Sequence, residues 1–327
     1  MLSRITIANT DLSVGPLCYG TNMFGTAIDQ GKANALLDSF FERGGNFLDT
    51  ARVYGDWVPD APTGASERAI GAWLKGKNRA DIVIATKGGF QDPRGGDWRN
   101  RVTADDIAQD LGESLDHLGI DSIDLYWLHA DDPTTPVESL IDGLLKHQEA
   151  GLIRYFGASN WSADRVRKAN AYARSIGKQG FVALQPFWGL AVPNEAQAAA
   201  MGYQLHYEGR YEALHAEGLS VIPYAGQSGG YFTKLAAEDG ATMPDMLEAR
   251  YGNSANAARF ETVRALAGKH GASINEIVLA YLLNQPHQTI PVIGATRPEQ
   301  IEESVKAAGL TLTSDELAQL RGEGTSG

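Results

Sequence analysis

Four polar residues stand at, or just beyond, the ends of consecutive predicted strands. Asp49 ends one apolar run, Lys87 ends the next and His129 the one after, while Tyr54 follows Asp49 in the connecting loop. In a parallel barrel the carboxyl ends of the strands share one face, where the following loops build the active site. We therefore expect a carboxylate, an ammonium, an imidazole and a phenol to meet at one mouth.

These groups together can transfer a proton to a polarised oxygen. A phenol with an ordinary pKa of about 10 is a poor acid at neutral pH. A nearby ammonium stabilises the phenolate, and a carboxylate keeps that ammonium charged and oriented. An imidazole donor can polarise a carbonyl oxygen. The set contains no source of hydride, so a reduction would need a bound cofactor.

Each of the four residues also has a simpler explanation when taken alone. Asp49 could cap the following turn, Lys87 could be a solvated charge, His129 could satisfy a strand-end carbonyl, and Tyr54 could pack at a rim. Their joint occurrence in this order favours a catalytic set. An alternative hypothesis for the same four residues is a Schiff-base lyase or aldolase with Lys87 as the nucleophile. That chemistry requires the Lys87 amine to be neutral.

Strand-like runs alternate with amphipathic helical segments along nearly the whole chain. The predicted strands are Leu17–Thr21, Asn46–Asp49, Asp81–Thr86, Asp124–His129, Ile153–Ser159, Val182–Pro186, Ser220–Tyr224 and Thr289–Ile293. The predicted helices are Ala33–Arg43, Ser66–Leu74, Thr103–Leu118, Val137–Ala150, Ala163–Ile176, Ala257–His270 and Pro298–Ala307. This alternation predicts an α/β fold, a closed (β/α)8 TIM barrel rather than two doubly wound domains. No G-x-G-x-x-G motif follows a strand, so the usual dinucleotide-binding fold has no support.

Short elements flank the predicted barrel. Ser3–Ile7 and Asp11–Val14 predict a β-hairpin that plugs its lower end, and Ser314–Leu320 predicts an extra C-terminal helix before a frayed tail at 322–327. We expect one domain over residues 1–327. Two connections are longer than usual, which is typical of functional loops: Gly55–Ala65 and Gly189–Gly209.

The composition excludes several classes of partner. The net charge of −12 argues against nucleic acid and anionic membranes, which need basic patches. Cys18 is the only cysteine, so no intrachain disulfide or thiolate metal site is expected, and we predict no metal. The N-terminal residues do not resemble a secretory signal, and no run approaches the roughly 20 apolar residues of a membrane span. We expect a cytoplasmic protein.

Five stretches, taken in order, resemble the aldo-keto reductase superfamily over nearly the whole chain. They are Phe47–Gly55, Ala85–Lys87, Leu125–Pro133, Ile153–Asn160 and Ile290–Gly294. The resemblance implies that Asp49, Tyr54, Lys87 and His129 are the catalytic tetrad, with Tyr54 as the acid. It also implies that NADP(H) lies extended across the barrel mouth.

The same resemblance assigns a cofactor site. Ser159, Asn160 and Gln185 match positions that hold the nicotinamide carboxamide, and Trp188 falls where the family usually stacks a tyrosine on the nicotinamide ring. An indole supplies an equal or larger face. The other implied cofactor residues are Gly20, Thr21, Asn22, Asp49, Tyr224, Ala225, Gly226, Gln227, Gly294, Thr296, Arg297, Gln300, Glu303 and Ser304.

The adenosine end departs from the family pattern at two positions. Arg297 precedes Pro298 at a helix start, where a guanidinium could bind a 2′-phosphate bidentately. Gln300, however, lies where many members have arginine, and Ser304 where many have asparagine. We predict NADP(H) in preference to NAD(H).

Aromatic side chains near the mouth are candidates for the substrate wall. Trp57, Phe90 and Trp98 are predicted to contact the substrate together with His129, with Tyr126 deeper, although packing under loops is an equal alternative. Acidic residues in the loop Gly55–Ala65 would disfavour anionic substrates. We predict an enzyme that reduces an aldehyde or ketone, such as a sugar or other small carbonyl compound. The alternative is a cofactor-binding regulatory subunit of a larger complex.

Overall fold

The computed structural model describes residues 1–196, 217–237 and 243–323. Strands β1 (Ile5–Thr6) and β2 (Ser13–Val14) form an antiparallel hairpin. The main sheet comprises β3 (Cys18–Gly20), β4 (Phe47–Asp49), β5 (Val83–Gly88), β6 (Ile123–Leu128), β7 (Ile153–Ser159), β8 (Ala183–Gln185), β9 (Ser220–Val221) and β10 (Val292–Ile293). Most of the predicted connection Gly189–Gly209 and the end of the predicted tail lie outside the described residues.

The main sheet closes into a barrel. Its eight strands are parallel and pair in the order β10-β3-β4-β5-β6-β7-β8-β9. The two ends meet through a parallel bridge between Val221 and Thr289. Backbone hydrogen bonds from Val221 N to Gln288 O (2.9 Å) and from Ile290 N to Val221 O (2.8 Å) flank this bridge. The closure confirms the predicted (β/α)8 fold.

Strand alternation positions the polar groups at the mouth. A buried apolar cluster fills the barrel interior, and four of its members are Phe47, Ala85, Trp127 and Ala183. Because side chains alternate along a strand, the residue two positions further on faces the same side. Asp49, Lys87, His129 and Gln185 are those residues, so all four stand above the apolar layer.

The hairpin closes the opposite end of the barrel, as predicted. Ile7, Leu12 and Val14 belong to the same interior cluster as the barrel residues. Ala8 N donates to Ser220 Oγ (2.9 Å) and to Gln288 Oε1 (3.0 Å), which ties the hairpin to both strands that close the sheet. The hairpin thus covers the end of the barrel opposite the mouth at which Asp49, Lys87 and His129 lie.

The helices cover the outside of the barrel. In the part of the chain that the structure describes, they are α1 (Gln30–Glu42), α2 (Ala65–Leu74), α3 (Ala104–Leu118), α4 (Val137–Glu149), α5 (Ala163–Ser175), α6 (Tyr231–Leu235), α7 (Asp245–Tyr251), α8 (Ser254–His270), α9 (Ile274–Leu283), α10 (Pro298–Ala307) and α11 (Ser314–Arg321). Short 3-10 turns occur at Arg79–Asp81 and Ser228–Gly230. Thr103 and Thr313 form capping boxes at the starts of α3 and α11, which explains why those boundaries could be predicted.

The sequence pattern missed α9 because this helix is buried on most of its surface. Ile277 to Leu282 are all buried, so the segment lacks the polar stripe of a surface helix. Tyr126 also differs from expectation: it packs in the layer between strands and helices and does not reach the mouth. Within the described ranges, no helix has the length and apolar character needed to cross a bilayer.

Candidate active site

Lys87 is the centre of the polar cluster at the mouth. Its Nζ contacts Asp49 Oδ1 and donates to the carbonyl oxygen of Thr50 (2.7 Å) and to the hydroxyl oxygen of Tyr54 (3.1 Å). Lys87 is 1% exposed, and the Asp49 side chain is similarly buried, whereas Tyr54 is half-buried. The ammonium is thus fixed between a carboxylate and a phenol that has access to the mouth.

The other oxygen of Asp49 is also occupied. Trp127 Nε1 donates to Asp49 Oδ2 (3.2 Å), and Gln185 Nε2 donates to the same atom (2.8 Å). A buried carboxylate needs such partners because water cannot solvate it. These bonds fix the orientation of Asp49 and thereby the position of the Lys87 ammonium.

The pKa shifts in the cluster follow from its charges. Burial opposes protonation of Lys87, but the Asp49 carboxylate and Tyr54 outweigh it and raise the pKa of Lys87 above its ordinary value. Lys87 is therefore an ammonium at neutral pH. A Schiff-base nucleophile must be a neutral amine, so the lyase reading of this residue set is disfavoured.

His129 is neutral at physiological pH. Burial, with the Lys87 charge as a second cause, lowers the pKa of His129 well below its ordinary range. Its Nδ1 is buried and has no hydrogen-bond partner among the described residues. The ring packs against Phe90 at 4.6 Å between centroids and lies edge-on to Tyr54 at 5.9 Å. A neutral imidazole can offer a hydrogen bond but is not a strong acid.

A cavity of about 560 Å³ opens beside the cluster. Asp49 and Tyr54 line it, and the remaining walls come from both ends of the chain and from the loop after β9. The predicted cofactor residues that line it are Gly20, Thr21, Asn22, Asp49, Tyr224, Ala225, Gly226, Gln227, Gly294, Thr296, Gln300 and Glu303. Predicted residues outside its lining are Ser159, Asn160, Gln185, Trp188, Arg297 and Ser304.

The loop after β9 has a backbone suited to binding an anion. Ala225 and Ser228 have positive φ angles of 62° and 50°, and Gly229 and Gly230 follow at 64° and 78°. Residues with side chains rarely adopt this conformation, and such strain is concentrated at functional sites. Within the loop, Ser228 N donates to Ala225 O (2.7 Å) and Gly230 N to Gln227 O (2.8 Å), so its other backbone N–H groups are the candidates for contact with an anion.

At the far end of the cavity, Gln300 organises the start of α10. Its Oε1 accepts hydrogen bonds from Thr296 N (2.8 Å), Thr296 Oγ1 (3.2 Å) and Arg297 N (3.2 Å). Ser304 is fully buried and donates to the Gln300 carbonyl (2.8 Å). Asn275 on α9 lies 3.5 Å from Ser304 Oγ and does line the cavity. The amide group expected at position 304 is thus present, but it comes from a neighbouring helix.

A sequence model of the aldo/keto reductase family matches residues 16–322. The chain belongs to the aldo-keto reductase family. A norsolorinic acid reductase of Aspergillus flavus is 29% identical over 97% of this chain and 79% of its own length. An aryl-alcohol dehydrogenase of Pestalotiopsis microspora is 27% identical over 97% and 80%. An uncharacterised oxidoreductase of Bacillus subtilis is 29% identical over 96% and 93%.

The solved structures include the same fold. A thermostable aldo-keto reductase in complex with the inhibitor epalrestat matches with a TM-score of 0.74, at 22% identity, over 99% of this chain and 100% of the other. At this identity the similarity concerns the fold. Together with the family match, it makes this chain an oxidoreductase built on a (β/α)8 barrel.

Trp188 does not occupy the position predicted for it in this aldo-keto reductase. It is 2% exposed, and its ring stacks on His287 at 6.0 Å between centroids with an interplanar angle of 19°. Phe187 lines the cavity instead, together with Tyr224. The physical reason is strand alternation: Phe187 continues the side of Gln185, and Trp188 faces the outer layer. Stacking of Trp188 on a nicotinamide is therefore inconsistent with its place in the fold.

Several residues that line the cavity were not among the predicted site residues. Lys234 on α6 and Arg250 on α7 line the cavity, as does Asn275. Lys234 Nζ donates to Gly229 O (2.8 Å), which draws its charge toward the positive-φ loop. Strand ends and short motifs predict residues near the barrel strands, whereas these three residues come from helices after β9. Basic residues placed after a glycine-rich loop were the available signal.

The predicted substrate residues occupy two loops at the mouth. Phe90 is half-buried against His129, and Trp57 lies edge-on to Tyr54 at 6.0 Å between centroids. Trp57 and Trp98 are 53% and 66% exposed. The structure thus brings Phe90 and Trp57 next to the tetrad, whereas Trp98 is largely exposed.

Proposed function

We propose that this aldo-keto reductase reduces a neutral, aryl-bearing aldehyde or ketone with NADPH, and that Tyr54 donates the proton. The observation that carries the proposal is the buried Lys87 ammonium, paired with Asp49 and hydrogen-bonded to the Tyr54 hydroxyl. General acid catalysis by a positioned group contributes about 10²–10⁴-fold.

The residues around the cavity fit a dinucleotide. About 560 Å³ falls within the roughly 300–1,000 Å³ that is typical of ligand sites. Gly226 lies close to the cavity wall: a Cβ there would lie 2.9 Å from Leu282 Cδ1, so a side chain at this position would displace Leu282. The positive-φ loop would hold the pyrophosphate through backbone N–H groups, with Lys234 and Arg250 supplying charge. A reduced nicotinamide bound here would supply the hydride.

Tyr224 is the aromatic residue best placed to support the nicotinamide ring. It lines the cavity, and its hydroxyl donates to Asn160 Oδ1 (2.8 Å). Asn160 in turn donates to the carbonyl oxygen of His129 (3.0 Å) and to Ser159 Oγ (3.2 Å). This chain of bonds would place the amide and hydroxyl groups of Asn160 and Ser159 for the carboxamide, with Gln185 behind them.

The adenosine end favours a phosphorylated cofactor. Arg297 is exposed at the start of α10, where helix N–H groups and a guanidinium could hold a 2′-phosphate together. Gln300 is occupied in fixing this helix start. Asn275, hydrogen-bonded to Gln227 at 3.0 Å, would contact the adenine in place of residue 304. We therefore propose NADP(H) over NAD(H).

The charges around the two residues favour Tyr54 over His129 as the proton donor. His129 is not an imidazolium at neutral pH, because burial lowers its pKa well below the ordinary value, and the N–H of a neutral imidazole is a hydrogen-bond donor but a very weak acid. Tyr54 can release its proton to a carbonyl oxygen because the adjacent ammonium stabilises the phenolate that forms. Asp49 keeps that ammonium in place. The neutral His129 ring would donate a hydrogen bond to the same oxygen and orient it.

The mouth favours a neutral substrate with a flat apolar part. Phe90 and Trp57 present aromatic rings beside the acid. The nearby arginines Arg94, Arg99 and Arg101 are each within ion-pair distance of an aspartate, so they offer little to a carboxylated substrate. Relatives named for norsolorinic acid and aryl alcohols agree with an aryl-bearing substrate.

The test is NADPH oxidation with a panel of aryl aldehydes, aryl ketones, sugars and carboxylated aldehydes. We expect turnover with neutral aryl carbonyls, and a loss of about 10²–10⁴-fold in kcat for Tyr54→Phe with little change in NADPH affinity. Tyr172→Phe is the matched control, since it removes only a surface bond to Asp142.

Three outcomes would overturn the proposal. Tight NADPH binding without turnover over the whole panel would support a regulatory cofactor-binding subunit instead. Borohydride trapping of a carbonyl compound on Lys87 would support the lyase. Efficient turnover by Tyr54→Phe would show that the proton comes from another group.

A further inference from the structure

Two loops at the mouth carry the residues nearest the reacting centre. We call residues 50–64 the Tyr54 loop and residues 89–102 the Phe90 loop. The first follows β4 and holds the proposed acid, and the second follows β5 and holds the ring packed against His129. Neither loop is part of the sheet, so other contacts must fix their relative position.

Arg94 joins the two loops directly. From the Phe90 loop its Nη2 donates to the carbonyl oxygens of Val58 (2.8 Å) and Ala61 (2.5 Å), and its Nε to that of Asp56 (3.3 Å). The Arg94 side chain is 28% exposed, so these are not freely solvated contacts. A planar guanidinium can satisfy several carbonyl groups at once, which a lysine cannot do.

Asp56 makes this contact charged and partly buried. Its side chain is 0% exposed and lies 3.6 Å from Arg94 Nε and 3.2 Å from Arg52 Nη1. A buried carboxylate without cationic partners is strongly unfavourable, so the two arginines and Asp56 hold one another. Asp56 and Arg52 flank Tyr54 in the sequence, two positions to either side.

The same cluster reaches the helix behind both loops. Arg52 Nε contacts Glu113 on α3 (2.7 Å), and Asp110 on α3 accepts from the backbone N of Gly89 (2.8 Å), next to Phe90. Asp110 also accepts from Arg101 (2.6 Å). The Tyr54 loop and the Phe90 loop are thus both attached to α3.

We propose that Arg94, acting through Asp56 and the Tyr54 loop, is a positioning residue that holds Tyr54 against Lys87 and His129 for proton transfer. The catalytic part of this inference rests on the proposed function. Residues in well-ordered loops set reaction geometry, and a displacement of about 1 Å can reduce a rate by about 10²-fold. None of the four side chains of the tetrad touches Arg94 directly, so its effect must pass through the loop.

Arg99 provides a matched control on the same loop. It pairs with Asp106 at 2.6 Å and with Asp97 at 3.0 Å, and its side chain is 53% exposed. These partners lie in the Phe90 loop and at the start of α3, not in the Tyr54 loop. Arg99→Ala therefore removes an arginine and its ion pairs without removing a contact to the Tyr54 loop.

The first measurement needs no activity: hydrogen exchange of the full chain, followed by mass spectrometry over residues 55–64. We expect faster exchange in Arg94→Ala than in the parent protein, and no change there in Arg99→Ala. The second measurement compares kcat for a small aliphatic aldehyde and a bulky aryl aldehyde. We expect Arg94→Ala to lower kcat about tenfold for both, with NADPH affinity unchanged. Arg94→Lys should recover only part of the loss.

The outcomes separate the alternatives. Equal exchange in Arg94→Ala and Arg99→Ala would overturn the loop contact. Faster exchange with unchanged kcat would overturn the positioning role, and a loss confined to the bulky aldehyde would assign Arg94 to the substrate wall instead. If the parent protein reduces no carbonyl compound, the proposed function is wrong. The hydrogen-exchange result would still decide whether Arg94 orders the Tyr54 loop.

Discussion

Phe187 and Trp188 show how one position along a strand decides what an aromatic residue can do. Phe187 and Tyr224 are joined by a parallel β-bridge, their ring centroids are 5.3 Å apart, and both line the cavity. Trp188 packs in the outer layer against Tyr281 and His287. The indole of Trp188 therefore stabilises the packing of the outer layer, whereas the ring of Tyr224 can contact a bound cofactor.

This difference gives a prediction at the scale of single residues. Tyr224→Leu removes an aromatic face, worth about 0.5–1.5 kcal/mol, and should weaken NADPH binding up to about tenfold. Trp188→Leu should leave NADPH affinity unchanged but lower the free energy of unfolding by about 2 kcal/mol. Tyr224→Phe keeps the ring and should retain most of the affinity. Fluorescence titration would measure NADPH affinity, and urea unfolding would measure the free energy of unfolding. NADPH binding that is weakened in Trp188→Leu alone would support the predicted stacking of Trp188 on the nicotinamide.

The sequence could predict the cluster of four but not all of the cavity. Asp49, Lys87 and His129 share a simple rule, since they end parallel strands and follow buried inward positions. Lys234 and Asn275 obey no such rule, because a helix after a long connection can approach the mouth from many directions. Predicting them requires knowing how α6 and α9 pack, which depends on contacts distant in sequence.

At the scale of elements, Glu316 joins the last helix to the body. Burial opposes its ionisation, but a backbone hydrogen bond from Thr313 and contacts with Lys269 and His270 outweigh burial and lower the pKa of Glu316 to about 2. Glu316 also completes the capping box of α11. One carboxylate thus starts α11 and attaches it to α8.

The pKa of Glu316 predicts a pH-dependent contribution to stability. The unfolded pKa is about 4.5 and the folded pKa is lower, so the unfolded state binds the proton more readily. The stabilisation is fully present above pH 4.5 and is lost as the pH falls toward 2. Glu316→Gln should lower the free energy of unfolding by about 1–3 kcal/mol at pH 7, and this difference should shrink as the pH falls below 4.

Urea unfolding at a series of pH values would measure this effect. Glu299→Gln, an exposed substitution in the first turn of α10, is a suitable control and should change stability by less than about 0.5 kcal/mol. A Glu316→Gln penalty that is constant from pH 7 to pH 3 would contradict the ionic origin of the contribution.

Elements were predictable where local signals agree with the fold. α3 has a capping box, acidic residues in its first turn and a glycine at its end, so its predicted and observed bounds nearly coincide. β9 and β10 are shorter than predicted because only part of each apolar run pairs with its neighbours. Local sequence shows which residues can extend, whereas the register of the closed barrel decides which of them pair.

At the scale of the whole molecule, the cavity depends on segments far apart in the chain. Gly20 ends the first barrel strand and Thr21 to Met23 follow it, Gly294 to Thr296 follow the last strand, and the loop after β9 also lines the cavity. These segments come together only when the barrel is closed. A ligand that contacts all of them binds the folded state and not the unfolded chain, so its affinity should appear as added stability.

Thermal unfolding with each cofactor would test both the cavity and the cofactor preference. At a free concentration of about 100 times Kd, NADPH should add about 2.7 kcal/mol, which in a domain of this size raises Tm by about 5 °C. NADH at the same concentration should give a smaller rise, because it lacks the 2′-phosphate that Arg297 is placed to meet at the start of α10. Arg297→Ala should reduce the NADPH rise toward that of NADH and leave the NADH rise unchanged. Equal rises with both cofactors would contradict the 2′-phosphate site, and no rise with either would contradict the cavity as the cofactor site.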